Sequence, residues 1–269
     1  MNRVAAIQMA SGPNVKANLD EAGRLIAAAV DGGAGLVTLP ENFGLIGEHE
    51  HDKLRHAEAD GSGPMQDFLA AAAAKHRVWV VGGSVPLATP GGERVRQALL
   101  VYDDTGARVA RYDKIHLFDV TLQPSGETYR ESGTIEPGTE LHTIDSPIGR
   151  LGLTICYDLR FPELYRALLA DGATTFLVPS AFTRVTGRAH WEPLLRARAI
   201  ENLAFVIAPA QGGYHVNQRE TWGHTMIVDP WGTVLAQREQ GTGVVIADLD
   251  PQFQQRTCAN FPALDHRSI

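Results

Sequence analysis

The 269 residues of this chain include only two cysteines, Cys156 and Cys258, which lie far apart. Neither takes part in a metal-type spacing, so the sequence predicts no disulfide framework and no zinc site. No apolar run approaches the roughly 18 residues that a membrane-spanning helix needs. The first residues, MNRVAAIQMASGP, have too short an apolar patch for a secretory signal. We therefore expect a cytoplasmic protein with reduced thiols and no membrane association.

Basic residues are also few. Lys and Arg number 24 against 31 Asp and Glu, which gives a formal net charge of -7. The cations are dispersed, so a nucleic-acid surface is not expected. The chain has no Walker loop and no Gly-x-Gly-x-x-Gly between a strand and a helix, the usual phosphate and dinucleotide signatures. We expect a small-molecule substrate, with no cofactor and no metal.

Apolar sequence, in contrast, is plentiful and regularly ordered, at 44% of residues. Short apolar runs that end in Pro or Gly alternate with longer Ala- and Leu-rich segments, the pattern of an α/β protein. In the first half the strands are RVAAIQMA, GLVTLPENF and VWVVGGSVP, the helices are NVKANLDEAGRLIAAAVDGGA and PMQDFLAAAAAKHR, and RQALLVYDDTG with ARVARYDKIHLF forms a hairpin.

The same order recurs in the second half. The strands there are GRLGLTICYD, TTFLVPSAF and LAFVIAPAQGG, the helices are PELYRALLADGA and HWEPLLRARAIEN, and TMIVDPWGTVLAQ is the hairpin. This predicts an internal duplication whose two sheets stack with helices outside, a four-layer arrangement. Two unrelated α/β halves are the alternative. The segment from about Thr121 to Pro147 is predicted to be a long loop, and the residues beyond Asp250 have no clear pattern.

Cys156 follows an apolar strand in GLTICYDLRFPELYR, just before a turn and a predicted helix with Pro162 and Glu163 in its first turn. The positive end of a helix favours the reactive thiolate. A free cysteine is also often only a small buried filler, so position alone does not make Cys156 a nucleophile. Cys258, in the irregular stretch, is a weaker candidate.

A nucleophilic cysteine needs a base, and histidine is the usual one. Four histidines are available for a Cys–His enzyme: His116, His190, His215 and His224. Two other strand ends offer a different chemistry, with Glu41 after LVTLP and Lys114 in ARYDKIHLF. A carboxylate can take the thiol proton, while an ammonium can stabilise the oxyanion that forms on a carbonyl.

The motifs TLPENF, YDKIHLFD, TICYDLRFPELYR and PSAFTRVTGRAHWEPLLRARAIEN resemble the nitrilase superfamily of carbon-nitrogen hydrolases over nearly the whole chain. The resemblance implies one domain over residues 1–269, an αββα sandwich that is usually dimeric, and a Glu–Lys–Cys catalytic set. Here the set is Glu41 as general base, Lys114 at the oxyanion and Cys156 as nucleophile. Many members have a second glutamate near the lysine, which aligns with Glu131, or alternatively with Glu127.

Within the superfamily, residues 179–202 and WGHTMIVDPWGTVLA resemble the branch that hydrolyses amides of 2-oxo acids. The stretch SAFTRVTGRAHW is closer to the deaminated-glutathione amidase type than to the omega-amidases, which act on 2-oxoglutaramate. The resemblance implies a thioester on the cysteine and an oxyanion held by the lysine and the backbone N–H of Tyr157. Arg160 is then placed to bind a substrate carboxylate and Thr183 to hydrogen-bond the same end.

Several alternatives remain at this stage. The protein could be an omega-amidase, or a binding protein of the same fold, although such proteins usually lose one of the three catalytic residues. Arg160 could instead form an ion pair with Glu163, and Asp158 is expected to hold the turn. A large leaving group would need an outer pocket, for which three residues are candidates: Arg184, Arg188 and His190.

Overall fold

The computed structural model describes residues 2–123, 126–216 and 218–268. Within them the helices are α1 (Val15–Asp31), α2 (Asp52–Arg55), α3 (Pro64–His76), α4 (Pro162–Ala170), α5 (Arg184–Asn202) and α6 (Pro251–Asn260). The strands are β1 (Arg3–Gln8), β2 (Leu36–Thr38), β3 (Trp79–Val81), β4 (Val85–Ala88), β5 (Val95–Tyr102), β6 (Arg108–Asp113), β7 (Asp119–Thr121), β8 (Thr128–Arg130), β9 (Thr143–Ser146), β10 (Gly149–Leu153), β11 (Thr175–Leu177), β12 (Phe205–Ala208), β13 (Gly212–Tyr214), β14 (Glu220–Trp222), β15 (Thr225–Val228), β16 (Val234–Arg238) and β17 (Gly243–Asp248). In this part of the chain, none of the helices has the length and apolar composition of a membrane span.

Two large sheets have the same internal arrangement. The first has the order β17-β1-β2-β3-β5-β4, with β6 also paired to β5, and the second has the order β16-β15-β12-β11-β10-β9. In each sheet three parallel strands, β1 to β3 or β10 to β12, are flanked by antiparallel strands. The predicted duplication is therefore confirmed at the level of strand order and direction.

The sheets pack against each other, with helices on their outer faces. Along β1, Val4 and Ala6 belong to an apolar cluster that includes Leu151 of the second sheet. The alternate residues Ala5 and Ile7 belong to a second cluster with residues of α1 and α3. Successive residues of a strand point to opposite faces, so one face of the first sheet contacts the other sheet and the opposite face contacts helices. This is the expected αββα sandwich.

Two local expectations were wrong, and one stretch without a predicted element is a helix. The region from Thr121 to Pro147 is not one loop, because it contains β8, β9 and a short 3₁₀ helix at Glu131–Gly133. The α5 helix begins at Arg184, six residues before the predicted start. The stretch beyond Asp250 forms α6. The Asp250 carboxylate caps this helix by accepting hydrogen bonds from two backbone N–H groups of the first turn, and a proline occupies the first helical position, where it is favoured.

The segments that follow β2, β6 and β10 carry the candidate site residues. Glu41 follows β2, Lys114 follows β6 and Cys156 follows β10, so the site is made from both halves of the duplication. After β2 the chain is packed tightly against the loop after β3, where Gly83 has φ +49° and a Cβ would lie 1.9 Å from the Pro40 carbonyl oxygen. Only glycine fits there, and its close approach fixes the backbone that leads to Glu41.

Candidate active site

Lys114 lies between two carboxylates in the interior. Its Nζ is 2.9 Å from Glu41 Oε1, 2.9 Å from Glu131 Oε2 and 3.1 Å from Glu131 Oε1. The lysine side chain is 0% exposed. Its backbone N–H donates to the carbonyl of Gln97 on β5, and the Phe118 N–H donates to Glu131 Oε2 at 2.8 Å. The predicted glutamate, lysine and second glutamate thus meet in one buried group.

Cys156 begins a short 3₁₀ helix, Cys156–Arg160, in a conformation that is unusual for a residue with a side chain. Its φ is +51°, in the left-handed region, and its N–H donates to the Pro179 carbonyl at 3.0 Å. The Glu41 carboxylate and the Ala181 N–H are the polar groups that face its sulfur, the first raising the pKa of the thiol and the second lowering it. Backbone strain of this kind clusters at functional sites, where surrounding contacts hold it.

The charges of this group depend on one another. Burial alone would lower the pKa of the Lys114 ammonium, but Glu131 and Glu41 outweigh burial and raise it well above its ordinary value. Burial alone would raise the pKa of Glu131, but the cations Lys114 and Lys53 and the Phe118 N–H lower it. Lys114 therefore stays an ammonium and Glu131 a carboxylate at neutral pH.

The thiol behaves differently from the expectation for a helix N-terminus. Burial raises the pKa of Cys156 well above its usual range, and the Glu41 carboxylate raises it further, against the opposing effect of Lys114. The expected thiolate was wrong for the resting protein: α4 begins only at Pro162, while the thiol is enclosed beside an anion. A base must therefore take the thiol proton when the substrate is bound.

A small, partly enclosed cavity lies beside Cys156. It is lined by Glu41, Phe118, Glu131, Cys156, Tyr157, Arg160, Ala181, Phe182, Thr183, Thr186 and Arg219. All the predicted catalytic and substrate-binding residues line it except Lys114, which is buried beneath Glu41 and Glu131.

Arg160 presents a half-buried guanidinium to the cavity. The guanidinium carbon lies 5.7 Å from the ring centre of Tyr157 and 5.3 Å from that of Phe182, and Nη1 is 3.2 Å from His190 Nδ1. Burial lowers the pKa of Arg160. Among the residues that the structure describes, no carboxylate forms an ion pair with it, so the alternative pair with Glu163 is not formed.

Thr183 and Tyr157 complete the walls near Arg160. Thr183 is the N-cap of α5, where its Oγ1 accepts from the Thr186 N–H at 3.3 Å and lies 2.9 Å from the Thr186 hydroxyl. The Tyr157 ring packs edge-on against Phe118 and Phe161, with ring centres 5.0 and 5.4 Å apart. Both residues are held in place by neighbours, so this side of the cavity is preformed.

Asp158 connects the lysine segment to the cysteine segment. Its fully buried carboxylate accepts from the Tyr112 hydroxyl at 2.7 Å, the Ile155 N–H at 2.8 Å and the His116 N–H at 3.1 Å, and it lies 2.7 Å from His116 Nδ1. Tyr112 and His116 lie two residues on either side of Lys114. Asp158 has the structural role that its position in the turn predicted, and it also fixes the lysine relative to the thiol.

Gln97 makes a similar connection that the sequence did not reveal. Its side-chain amide donates to Asn42 Oδ1 at 2.6 Å and to Ser84 Oγ at 2.8 Å, and its backbone carbonyl accepts from Lys114. Asn42, with φ +59°, directly follows Glu41. Gln97 therefore holds the segments of Glu41 and Lys114 in a fixed relation from one position on β5.

Arg219 is the other cavity residue that sequence reasoning missed. It lies between β13 and β14, where its Nη2 donates to the Ala181 carbonyl at 2.5 Å and its guanidinium carbon lies 5.3 Å from the Tyr129 ring centre. The surrounding sequence, GGYHVNQRETWG, has neither helical nor strand periodicity. Only the folded position of the hairpin shows that this arginine reaches the cavity.

The four histidines are engaged away from the sulfur. His116 contacts Asp158, His190 contacts Arg160, and His224 contacts Gln237. His215 is buried between the Ser11 carbonyl and the Thr221 hydroxyl. This arrangement does not support a Cys–His enzyme. Within residues 2–123, 126–216 and 218–268, no three His, Cys, Asp or Glu side chains form a group that could hold a metal ion.

The remaining candidates lie outside the cavity. Glu127 is exposed and accepts from the Tyr129 hydroxyl at 2.9 Å, so Glu131 is the glutamate at the lysine. Cys258 is half-buried on α6. Arg184 pairs with Glu220, and Arg188 lies along a separate groove. Neither arginine lines the cavity. Of the three expected outer-pocket residues, only His190 contacts a residue of the cavity lining, namely Arg160.

Comparisons with known proteins agree with this geometry. A family model described as carbon-nitrogen hydrolase matches residues 3–257. A protein from Synechocystis described as deaminated glutathione amidase is 45% identical over 267 residues, which cover 98% of this chain and 97% of that protein. The crystal structure of the C. elegans NitFhit protein matches with a TM-score of 0.93 and 38% identity over 99% of this chain, which spans 65% of that one. The structure of Saccharomyces cerevisiae Nit3, described as a member of branch 10 of the nitrilase superfamily, has a TM-score of 0.89 and 30% identity and covers 99% of this chain and 96% of its own. The chain therefore belongs to the carbon-nitrogen hydrolase family, within the nitrilase superfamily, and is an amidase.

Proposed function

We propose that this amidase hydrolyses deaminated glutathione, the amide of 2-oxoglutarate with cysteinylglycine, to those two products. The observation that carries the proposal is a half-buried guanidinium, that of Arg160, in the same cavity as Cys156. A half-buried cation that pairs with no carboxylate of the described residues favours an anionic ligand, and a 2-oxo acid supplies a carboxylate that a planar guanidinium binds well. The Synechocystis relative has the corresponding name, which supports this choice of substrate.

In the proposed first half-reaction, Cys156 Sγ attacks the amide carbonyl carbon while Glu41 takes the thiol proton. The oxygen becomes an oxyanion, stabilised by the Lys114 ammonium and the Tyr157 backbone N–H. Glu41 then gives its proton to the amide nitrogen, the carbon–nitrogen bond breaks, and the amine leaves. The acyl group remains on the cysteine as a thioester.

In the second half-reaction, Glu41 takes a proton from water, and the resulting hydroxide attacks the thioester carbonyl. The second tetrahedral intermediate collapses, the carbon–sulfur bond breaks, and the thiol regains a proton from Glu41. Glu131 takes no proton in this scheme. Its carboxylate, 2.9 and 3.1 Å from Lys114 Nζ, keeps the ammonium charged and correctly positioned.

The acyl end of the substrate would lie against Arg160 and Thr183. The guanidinium is held between the Tyr157 and Phe182 rings, which limits its motion and reduces the entropy lost on binding. The Thr183 hydroxyl is positioned by its capping role at α5, so it can hydrogen-bond the 2-oxo acid. Both contacts are to the part of the substrate that stays on the enzyme as the thioester.

The test compares kcat/KM for deaminated glutathione, 2-oxoglutaramate and intact glutathione. We expect deaminated glutathione to be the best substrate and glutathione, which has an ammonium in place of the oxo group, to be poor. If 2-oxoglutaramate is cleaved equally well or better, the protein is an omega-amidase. If glutathione is preferred, the assignment of the 2-oxo-acid pocket is wrong.

We further propose that the whole chain acts as one catalytic domain and forms a homodimer in the cytoplasm. An exposed apolar patch supports the dimer: Trp231 (58% exposed) packs on Phe261 (51%), and Ile200 (46%) lies beside Gly232. Trp231→Glu should then yield a monomer by light scattering, while Leu141→Glu, at another exposed site, should not. A cytoplasmic location agrees with the free state of both cysteines.

A further inference from the structure

We infer that Arg219 binds a carboxylate on the leaving group, so that the preferred amides are anionic at both ends. This inference rests on the proposed function, in which Arg160 binds the carboxylate of the acyl group. Arg219 supplies the cavity with a second guanidinium, and nothing in the proposed chemistry uses it. Deaminated glutathione has two carboxylates with the scissile amide between them, so its charges match two separate cations.

The two guanidiniums that line the cavity are held by different partners. Arg160 is held by Tyr157, Phe182 and His190. Arg219 is held by the Ala181 carbonyl and the Tyr129 ring, residues that Arg160 does not contact. The two cations are therefore anchored independently, and a substrate with two carboxylates supplies one anion for each.

Arg219 is also held close to the reacting atoms through one residue. The carbonyl of Ala181 accepts from Arg219, and the same Ala181 lines the cavity with Cys156, with its N–H toward the sulfur. The guanidinium is thus fixed relative to the nucleophile rather than placed on a mobile surface. A leaving group bound by it would be fixed in the same way, which lets this remote contact contribute to turnover as well as to affinity.

The hairpins that carry Tyr129 and Arg219 lie outside the two large sheets. Tyr129 belongs to the β7–β8 pair and Arg219 to the β13–β14 pair. Close to Arg219 in the chain, Tyr214 is 77% exposed and Val216 58% exposed. Arg219 itself is half-buried and lines the cavity from this exposed hairpin, and the leaving group, which departs first, needs a path to solvent.

The experiment measures Arg219→Gln and wild type on three amides of 2-oxoglutarate. These are deaminated glutathione, the same compound with its glycine carboxylate converted to a primary amide, and 2-oxoglutaramate, whose leaving group is ammonia. For wild type we expect kcat/KM to fall on the order of 10- to 100-fold when the glycine carboxylate is removed, the effect of one charged hydrogen bond. Arg219→Gln should lose the same factor on deaminated glutathione and leave the other two rates nearly unchanged.

The matched control is Arg184→Gln, because Arg184 is an exposed arginine that pairs with Glu220 of the same hairpin and does not line the cavity. It should leave all three rates unchanged. If Arg219→Gln lowers the three rates equally, the arginine has only a structural role and the inference is wrong. The inference also fails if wild type cleaves the acid and its primary amide equally well, a result that leaves the proposed function intact. If wild type cleaves none of the three amides, the proposed function itself fails.

Discussion

The charge of Glu131 should be required for turnover although Glu131 exchanges no proton. Glu41 and Glu131 contact the same Lys114 Nζ, each at 2.9 Å. Two such carboxylates lie about 5 Å apart, and at an effective dielectric constant of about 20 their repulsion is about 3 kcal/mol. That repulsion favours proton transfer from the thiol to Glu41, because a protonated Glu41 no longer repels Glu131. Glu131→Gln removes this repulsion and should therefore lower kcat by roughly 10²-fold.

The assay is steady-state kinetics with the best amide substrate, together with thermal unfolding. We expect kcat to fall while KM changes less than threefold, because Glu131 stabilises proton transfer and the oxyanion lysine rather than the ground-state complex. The glutamine keeps an oxygen that can accept from Phe118 N–H, which limits structural loss.

Glu127→Gln is the control, since it removes a carboxylate from the same segment at an exposed position. It should leave both constants unchanged. The electrostatic reasoning is refuted if folded Glu131→Gln keeps more than half of the wild-type kcat, or if KM rises while kcat is unaffected.

Further substitutions test the other groups of the site. Cys156→Ala should abolish turnover while Cys258→Ala leaves it intact; labelling of Cys258 that tracks inactivation by an alkylating agent would contradict this. Lys114→Ala should lower kcat by at least roughly 10²- to 10³-fold, because it removes one donor to the oxyanion; near-normal activity would exclude this mechanism. Gln97→Leu, which removes the hydrogen bonds but retains similar volume, should lower kcat more than it raises KM; equal kcat in a folded variant would contradict the positioning role. Because burial and Glu41 both raise the pKa of Cys156, Glu41→Gln should move the thiolate absorbance step to lower pH, and an unchanged step would show that the two groups do not interact.

Strand order and the grouping of Glu41, Lys114 and Cys156 were accessible from sequence because both follow from local patterns. Apolar runs that end in Pro or Gly indicate buried strands, and each of these three residues stands at the end of a predicted strand, in the motifs TLPENF, YDKIHLFD and TICYDLRFPELYR. The start of α5 at Arg184 was missed because its first turns combine a glycine and several polar residues. The α6 helix was missed although Asp250 and the proline after it form a recognisable helix start.

Contacts between distant segments were not accessible in the same way. Gln97 lies within an apolar strand, and only the pairing of β5 with its neighbours brings it to both Asn42 and Lys114. Arg219 is in a stretch without periodicity, so its place in the cavity depends on how a separate hairpin packs. Arg184 and Arg188 do not line the cavity beside Cys156, because membership of a distinguishing segment does not determine which face of a helix a side chain occupies.

The pairing of β1 with β17 has a consequence for how the protein is made. All six residues of β1 pair with β17, from Arg3 with Asp248 to Gln8 with Gly243, and these partners are as much as 245 residues apart in the chain. During translation, β1 leaves the ribosome long before its partner β17 is synthesised. The first sheet therefore cannot be completed while the first half of the chain is being made. Cys156 and Glu41, which come from different halves, also remain apart for that time. The nascent chain should consequently carry no hydrolytic activity until the late strand joins the early one.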